Sequence, residues 1–291
     1  MTTERAELRG RDGNLLVGDV VGDPSDPPVV LFHGGGQTRH SWGTTLANLG
    51  AHGWRAYSVD LRGHGDSEWA ADGDYSMDAF AGDIVAVAQS LAAAPALVGA
   101  SLGGISSLAA IGEHPALKVA RALVLVDVAP RIEVAGRERI GQFMVEHMES
   151  GFGSLDEVAD AIQRYNPHRP RPTNLGGLEK NLRRRDDGRW YWHWDPVFIT
   201  GPLGGPDETR SSLIDPERLQ AAARGLDVPT LLVRGRQSDL LSEEGARELL
   251  ELVPQASYVN VAGAGHMVAG DRNDVFNDAV VSFLDEVRDV D

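Results

Sequence analysis

Three residue types in this chain stand where they could carry nucleophilic catalysis. Gly99-Ala100-Ser101-Leu102-Gly103 has the pattern G-x-S-x-G, entered by the short apolar run Ala96 to Ala100 and left by the small-residue segment up to Ile111. Glycines on either side let a strand turn sharply into a helix and leave the serine hydroxyl exposed on the corner. A serine hydroxyl is a weak nucleophile until a base takes its proton, and the base needs an acid to orient its ring. Downstream, Gly263-Ala264-Gly265-His266 offers an imidazole in a glycine-flanked loop, and Gly235-Arg236-Gln237-Ser238-Asp239 offers a carboxylate. The order Ser101, Asp239, His266 is one of the known chain orders for such a triad. Asp127 also closes an apolar run and is the alternative acid for the same histidine, although its plainer reading is structural.

Acyl transfer further needs donors for the negative oxygen of its intermediate. The N–H of Leu102, directly after the serine, opens a helix and is one donor. The loop His33-Gly34-Gly35-Gly36 supplies the second, with Gly35 the first choice and Gly36 the fallback. A phosphate-binding reading of that loop fails, because it lacks the Lys-Ser/Thr ending and the G-x-G-x-x-G spacing. His33 is expected to shape this loop, and His64 to pack a tight turn.

The elements that must position these groups can be read in order. Residues 5 to 22 suggest two strands about the turn Arg11 to Asn14. Further strands are expected at 28–32, 54–59, 96–100, 122–128, 228–234 and 257–261. Helical patterns fall at about 41–49, 76–91, 102–111, 242–252 and 271–288, with Ser76 a plausible N-cap. Strands alternating with helices imply a mostly parallel sheet covered on both faces, and each candidate residue then lies beyond a strand's C-terminal end. The rhythm breaks from 131 to about 225, where helical patterns (137–148, 154–165, 215–223) occur without buried strands.

Five motifs together, HGGG at 33–36, DLRGHGDS at 60–67, GASLGG at 99–104, RQSD at 236–239 and GAGH at 263–266, resemble the α/β-hydrolase superfamily. The resemblance implies an α/β-hydrolase fold. That fold has an eight-stranded, mostly parallel sheet, a core made of residues 1–130 and 226–291, and a helical cap at 131–225. It implies a triad of Ser101, His266 and Asp239, an oxyanion hole at Gly35 and Leu102, and no cofactor. The cap position is also similar to that of epoxide hydrolases and haloalkane dehalogenases, but those use an aspartate where this chain has Ser101. The serine branch contains carboxylesterases, lactonases, C–C bond hydrolases of ring-fission products and cofactor-free haloperoxidases. Ester or lactone hydrolysis is the expected activity; C–C cleavage of a diketone-type product and perhydrolysis are the alternatives, and a non-catalytic binding module is the outlier.

The expected pocket combines Gly36, Trp42 and Met267 from the core with Phe143, Met144, Trp192 and Trp194 from the insert. Met148 and Phe152 extend the apolar wall. The segment Trp190 to Phe198 is rich in aromatic residues beside Arg183, Arg184, Arg185 and Arg189, and it reads either as a lid or as a clamp holding the insert to the core. If it is extended, Trp190, Trp192 and Trp194 share one side.

Bulk properties exclude more than they identify. The 291 residues carry 27 basic against 43 acidic side chains, a formal charge of -16. That balance disfavours nucleic acid and anionic membrane as partners and leaves a small, largely apolar molecule as the expected one. There is no cysteine, hence no disulfide or thiol chemistry. No H-E-x-x-H or comparable cluster suggests a metal. The N-terminal residues lack the apolar core of a secretory signal, and no apolar run approaches a membrane span, so the expected location is cytoplasmic.

Overall fold

A computed structural model describes residues 2–167, 171–172, 174–201, 213–266 and 273–288. Eight strands form one sheet: β1 (Glu4–Arg9), β2 (Leu15–Val21), β3 (Pro28–Phe32), β4 (Arg55–Val59), β5 (Ala96–Ala100), β6 (Ala122–Val126), β9 (Thr230–Gly235) and β10 (Ala256–Val261). Their spatial order is β1-β2-β4-β3-β5-β6-β9-β10. Strand β2 runs antiparallel to both β1 and β4, and from β4 to β10 every pairing is parallel. The sheet is thus eight-stranded and mostly parallel, as the sequence pattern implies.

The central strands are apolar throughout because both faces are covered. Successive side chains of a strand point to opposite faces. Accordingly Val30, Phe32, Leu97, Leu123, Leu125 and Leu232 enter one core, while Val29, Leu31, Val98, Val124, Val126 and Val233 enter the other. The first core is closed by α2 (Met77–Ser90), α3 (Leu102–Gly112), α7 (Pro216–Arg224) and α8 (Glu243–Leu252). The second is closed by α1 (Gly43–Ala51) and the C-terminal helix α9 (Asn273–Val287). Each fully buried Leu, Val or Phe contributes about 1.5–3 kcal/mol of transfer free energy. The helices begin where the sequence can cap them: the Ser76 hydroxyl accepts from Ala79 N, and the Ser242 hydroxyl from Gly245 N.

Between β6 and β9 the chain leaves the large sheet. It forms α4 (Val134–Val145), α5 (Leu155–Tyr165), a two-stranded antiparallel ribbon of β7 (Leu182–Arg184) and β8 (Trp190–Trp192), and the short helix α6 (Val197–Thr200) before reaching α7. The ribbon is a departure from the purely helical pattern expected there. Three-residue strands are too short to leave a periodic signal. Helix α4 also starts and ends earlier than its apolar spacing suggests, and His147 just beyond it has a positive φ of 63°. A small core of Phe152, Val158, Ala161 and Leu182 holds α5 against the ribbon. The segment is fastened to the sheet at the turn after β4: Asp195 N donates to Gly63 O at 2.7 Å and Gly65 N to His193 O at 2.7 Å. Among the described residues no helix is long and apolar enough to cross a membrane.

Candidate active site

The loops that follow β3, β5, β6, β9 and β10 all open at the C-terminal edge of the parallel strands, where open α/β sheets leave a crevice. Ser101 occupies the corner between β5 and α3 with φ 45° and ψ -113°. That is a strained backbone for a residue with a side chain, and the surroundings enforce it. A Cβ on Gly99 would lie 2.5 Å from Gly103 O, and one on Gly103 would lie 2.4 Å from Phe32 O. The spacing G-x-S-x-G is therefore a packing requirement of the corner, and Ser101 N is tied to Val126 O at 3.3 Å.

His266 follows β10. Its Nδ1 donates to Asp127 Oδ2 at 2.7 Å, and its side chain is 12% exposed. Asp127, directly after β6, is fully buried and has φ 51°. Its carboxylate accepts from Gly235 N at 2.9 Å, from Ser238 Oγ at 2.6 Å and from His266. A buried carboxylate with three donors is held in a fixed orientation. Ser238 is itself oriented, because its oxygen accepts from Leu240 N and Leu241 N. The two loops also join through their backbones, with Gln237 N donating to Ala264 O at 2.8 Å.

The expected partner of His266, Asp239, is elsewhere. Its carboxylate pairs with Arg139 Nε of α4 at 2.9 Å and is 39% exposed. The loop after β9 turns so that Ser238 points to the site and Asp239 points away. The structure thus corrects the pairing drawn from chain order: the imidazole meets Asp127. Position at a strand's end does not distinguish the two aspartates, since both sit there. Ser238 carries no signal of its own in the sequence.

The glycine loop after β3 is shaped by two buried histidines. His33 Nδ1 donates to Gly34 O at 2.8 Å while its Nε2 accepts from Leu61 N at 3.0 Å. His64 Nδ1 donates to Arg62 O at 2.9 Å while its Nε2 accepts from Gly36 N at 3.1 Å. Both are therefore neutral imidazoles, one nitrogen giving and the other taking. Burial first of all pushes His33 down to about 4 and His64 to about 3. Gly36 N is thus engaged by His64 and Gly34 N by Gln37 Oε1. Between them the Gly35 N–H meets no acceptor among the described residues, and the same is true of Leu102 N at the start of α3. The fallback donor Gly36 is therefore already used, whereas Gly35 and Leu102 are open.

Ser101, His266, Gly35 and Leu102 all line one cavity of about 1000 Å³. Its floor is made by the loops after β3, β5 and β6, and its roof by the segment between β6 and β9. Of the expected pocket residues, Gly36, Trp42, Phe143, Met144, Trp192 and Trp194 line it; Met267 lies outside the described residues. Trp42 is only 2% exposed and packs on Phe276, so it serves core and wall together. Met148 packs into the core and Phe152 into the small core beneath Trp192, and neither lines the cavity. Trp190 is also off the cavity, with Arg184 stacked over its ring. Phe198 of α6 closes the site from above: a Cβ on Gly35 would be 3.5 Å from its ring, and His64 packs edge-on against it at 5.0 Å. The aromatic segment is at once roof and clamp.

With this geometry in hand, known proteins supply independent comparisons. A family model described as the alpha/beta hydrolase family matches residues 29–279. The chain is 32% identical over 268 residues to Esterase Rv0045c of Mycobacterium tuberculosis, covering 90% of this chain and 84% of that protein. It is 29% identical over 255 residues to the 3-hydroxybutyrate-oligomer hydrolase of Cupriavidus necator, covering 84% of each. The solved structure of the M. tuberculosis esterase superposes with a TM-score of 0.75 at 28% identity, covering 98% of this chain and 92% of that one.

Proposed function

The chain belongs to the alpha/beta hydrolase family and is a hydrolase, and from that premise we propose that it cleaves a carboxylic ester or lactone through an acyl-enzyme on Ser101. The observation that carries this reading is the hydrogen bond from His266 Nδ1 to the buried Asp127, in the cavity that Ser101 lines. With Nδ1 protonated and held, the other ring nitrogen is left to accept the serine proton.

The steps follow from these groups. His266 Nε2 takes the proton of Ser101 Oγ as the oxygen attacks the substrate carbonyl. The carbonyl oxygen, now negative, receives the N–H groups of Gly35 and Leu102, each such donor typically supplying about 2.7–4 kcal/mol of transition-state stabilisation. Asp127 stabilises the imidazolium and keeps its orientation. The C–O bond of the leaving group breaks and the alkoxide departs with the proton from His266. Water then attacks the acyl-serine by the same route, releasing the acid and restoring Ser101. The segment 131–225 acts as the cap, with Trp192, Trp194, Phe198 and Met144 selecting the apolar part of the substrate.

Replacing Ser101 by alanine tests this reading. Hydrolysis of short-chain p-nitrophenyl esters is expected to fall by at least about 10⁴-fold while the far-UV circular dichroism stays that of the parent. Retained hydrolysis in S101A would remove the serine from the mechanism.

A further inference from the structure

The charge lining the cavity differs from that of the molecule around it. Acidic side chains outnumber basic ones by 43 to 27, yet no aspartate or glutamate is among the described residues that line the cavity. Arg137 of α4 and Lys180, just before β7, do line it, as does His40, which also faces Asp19 at 3.6 Å. Neither Arg137 nor Lys180 has a carboxylate within ion-pair distance among the described residues. Arg139, two residues on in α4, differs: its charge is met by Asp239, and its guanidinium covers the ring of Tyr165. In this acidic protein, two cations without a carboxylate at ion-pair distance on the wall of one cavity are a local positive field, and the rest of that wall carries no carboxylate among the described residues.

From this we infer that the substrate is an anionic ester: one carrying a carboxylate away from the scissile bond, with an apolar portion between the two. The inference rests on the ester-hydrolase reading of Ser101. The apolar portion lies against Met144, Trp192 and Trp194, and the carboxylate is received by Arg137 and Lys180. A surface charged at -16 repels anions in general, so a positive opening selects for anions that also fill the apolar wall. Both cations are exposed on the solvent side, where ionic attraction is modest and screened by salt.

The test compares mono-p-nitrophenyl adipate with its methyl ester, which has the same chain and no charge. At low salt the wild type is expected to favour the anionic ester by about fivefold to tenfold in kcat/KM, as two exposed ion pairs allow. The preference should shrink in 0.5 M salt (about 0.5 M being enough to shorten the screening length well below 8 Å). It should disappear in the double variant R137Q/K180Q and persist in R247Q, which removes an exposed charge of α8 outside the cavity. Binding is read separately by calorimetry on S101A with monomethyl and dimethyl adipate, where the same order is expected. No preference in the wild type, or a preference that survives R137Q/K180Q, overturns the inference and leaves the serine reading standing. Hydrolysis of neither ester, with the binding preference present and lost in R137Q/K180Q, overturns the serine reading and leaves only the anion preference of the cavity standing.

Discussion

Asp127 and Asp239 each follow a strand on the same edge of the sheet, and what separates them is what their carboxylates touch. Asp127 is buried and gathers His266, Ser238 and Gly235 N, whereas Asp239 is held by Arg139 at the surface. In the proposed triad, replacing the Asp127 carboxylate by an amide leaves the imidazole in the wrong tautomer and without stabilisation when it becomes charged. Asp127→Asn is therefore expected to lower kcat for ester hydrolysis by about 10⁴-fold, whereas Asp239→Asn should stay within about twofold. Steady-state kinetics on the two variants side by side decides it, and a severe loss in D239N with an active D127N would reverse the assignment. The proposed nucleophile and base stand out in the sequence because each has a local signature: a glycine-framed corner, and a histidine in a glycine loop. The proposed acid has no such signature. It is chosen by how the loop after β9 folds back, which puts Ser238 toward the site and Asp239 away from it.

Among the elements, the glycine loop after β3 depends on neutral His33 and His64 behind it. Unfolded, both titrate near 6.5; folded, burial holds them near 4 and 3. Between those values the unfolded chain binds protons that the native chain does not, so stability falls as pH drops from about 6.5 toward 4 and 3, and is fully retained above 6.5. Each histidine contributes up to about 1.4 kcal/mol per pH unit inside that window. Urea unfolding at pH 7 and pH 5 should show this fall. His64→Gln, which keeps one donor and one acceptor, should be less stable at pH 7 and flatter with pH. An unchanged pH slope in H64Q would contradict the account. The parallel strands and their flanking helices were legible because buried strands are continuously apolar and amphipathic helices repeat every three to four residues. The β7–β8 ribbon was not, since three residues cannot display a period, and its aromatic side chains suit a lid and a clamp equally. It is the hydrogen bonds of residues 193 and 195 to the turn at 63–65 that make the segment serve both purposes.

For the whole molecule, one edge of the sheet collects the candidate catalytic groups and one inserted segment covers them. Residues from five strand-following loops, more than 230 positions apart in the chain at their extremes (from Gly35 to His266), meet in a single cavity only because the parallel sheet brings those loop ends together. Sequence motifs could therefore indicate the reaction class, while the substrate depends on walls drawn from segments with no motif. The claim on which the rest depends is that the substrate's acyl group passes through Ser101. Its most direct measurement is to mix the protein with p-nitrophenyl acetate, quench in acid within the first turnovers, and locate any acetyl group by peptide mass spectrometry. The account predicts acetylation on the peptide containing Ser101, at the serine, and none in S101A. Steady hydrolysis with no acetyl group on Ser101, or with one on another residue, would contradict it.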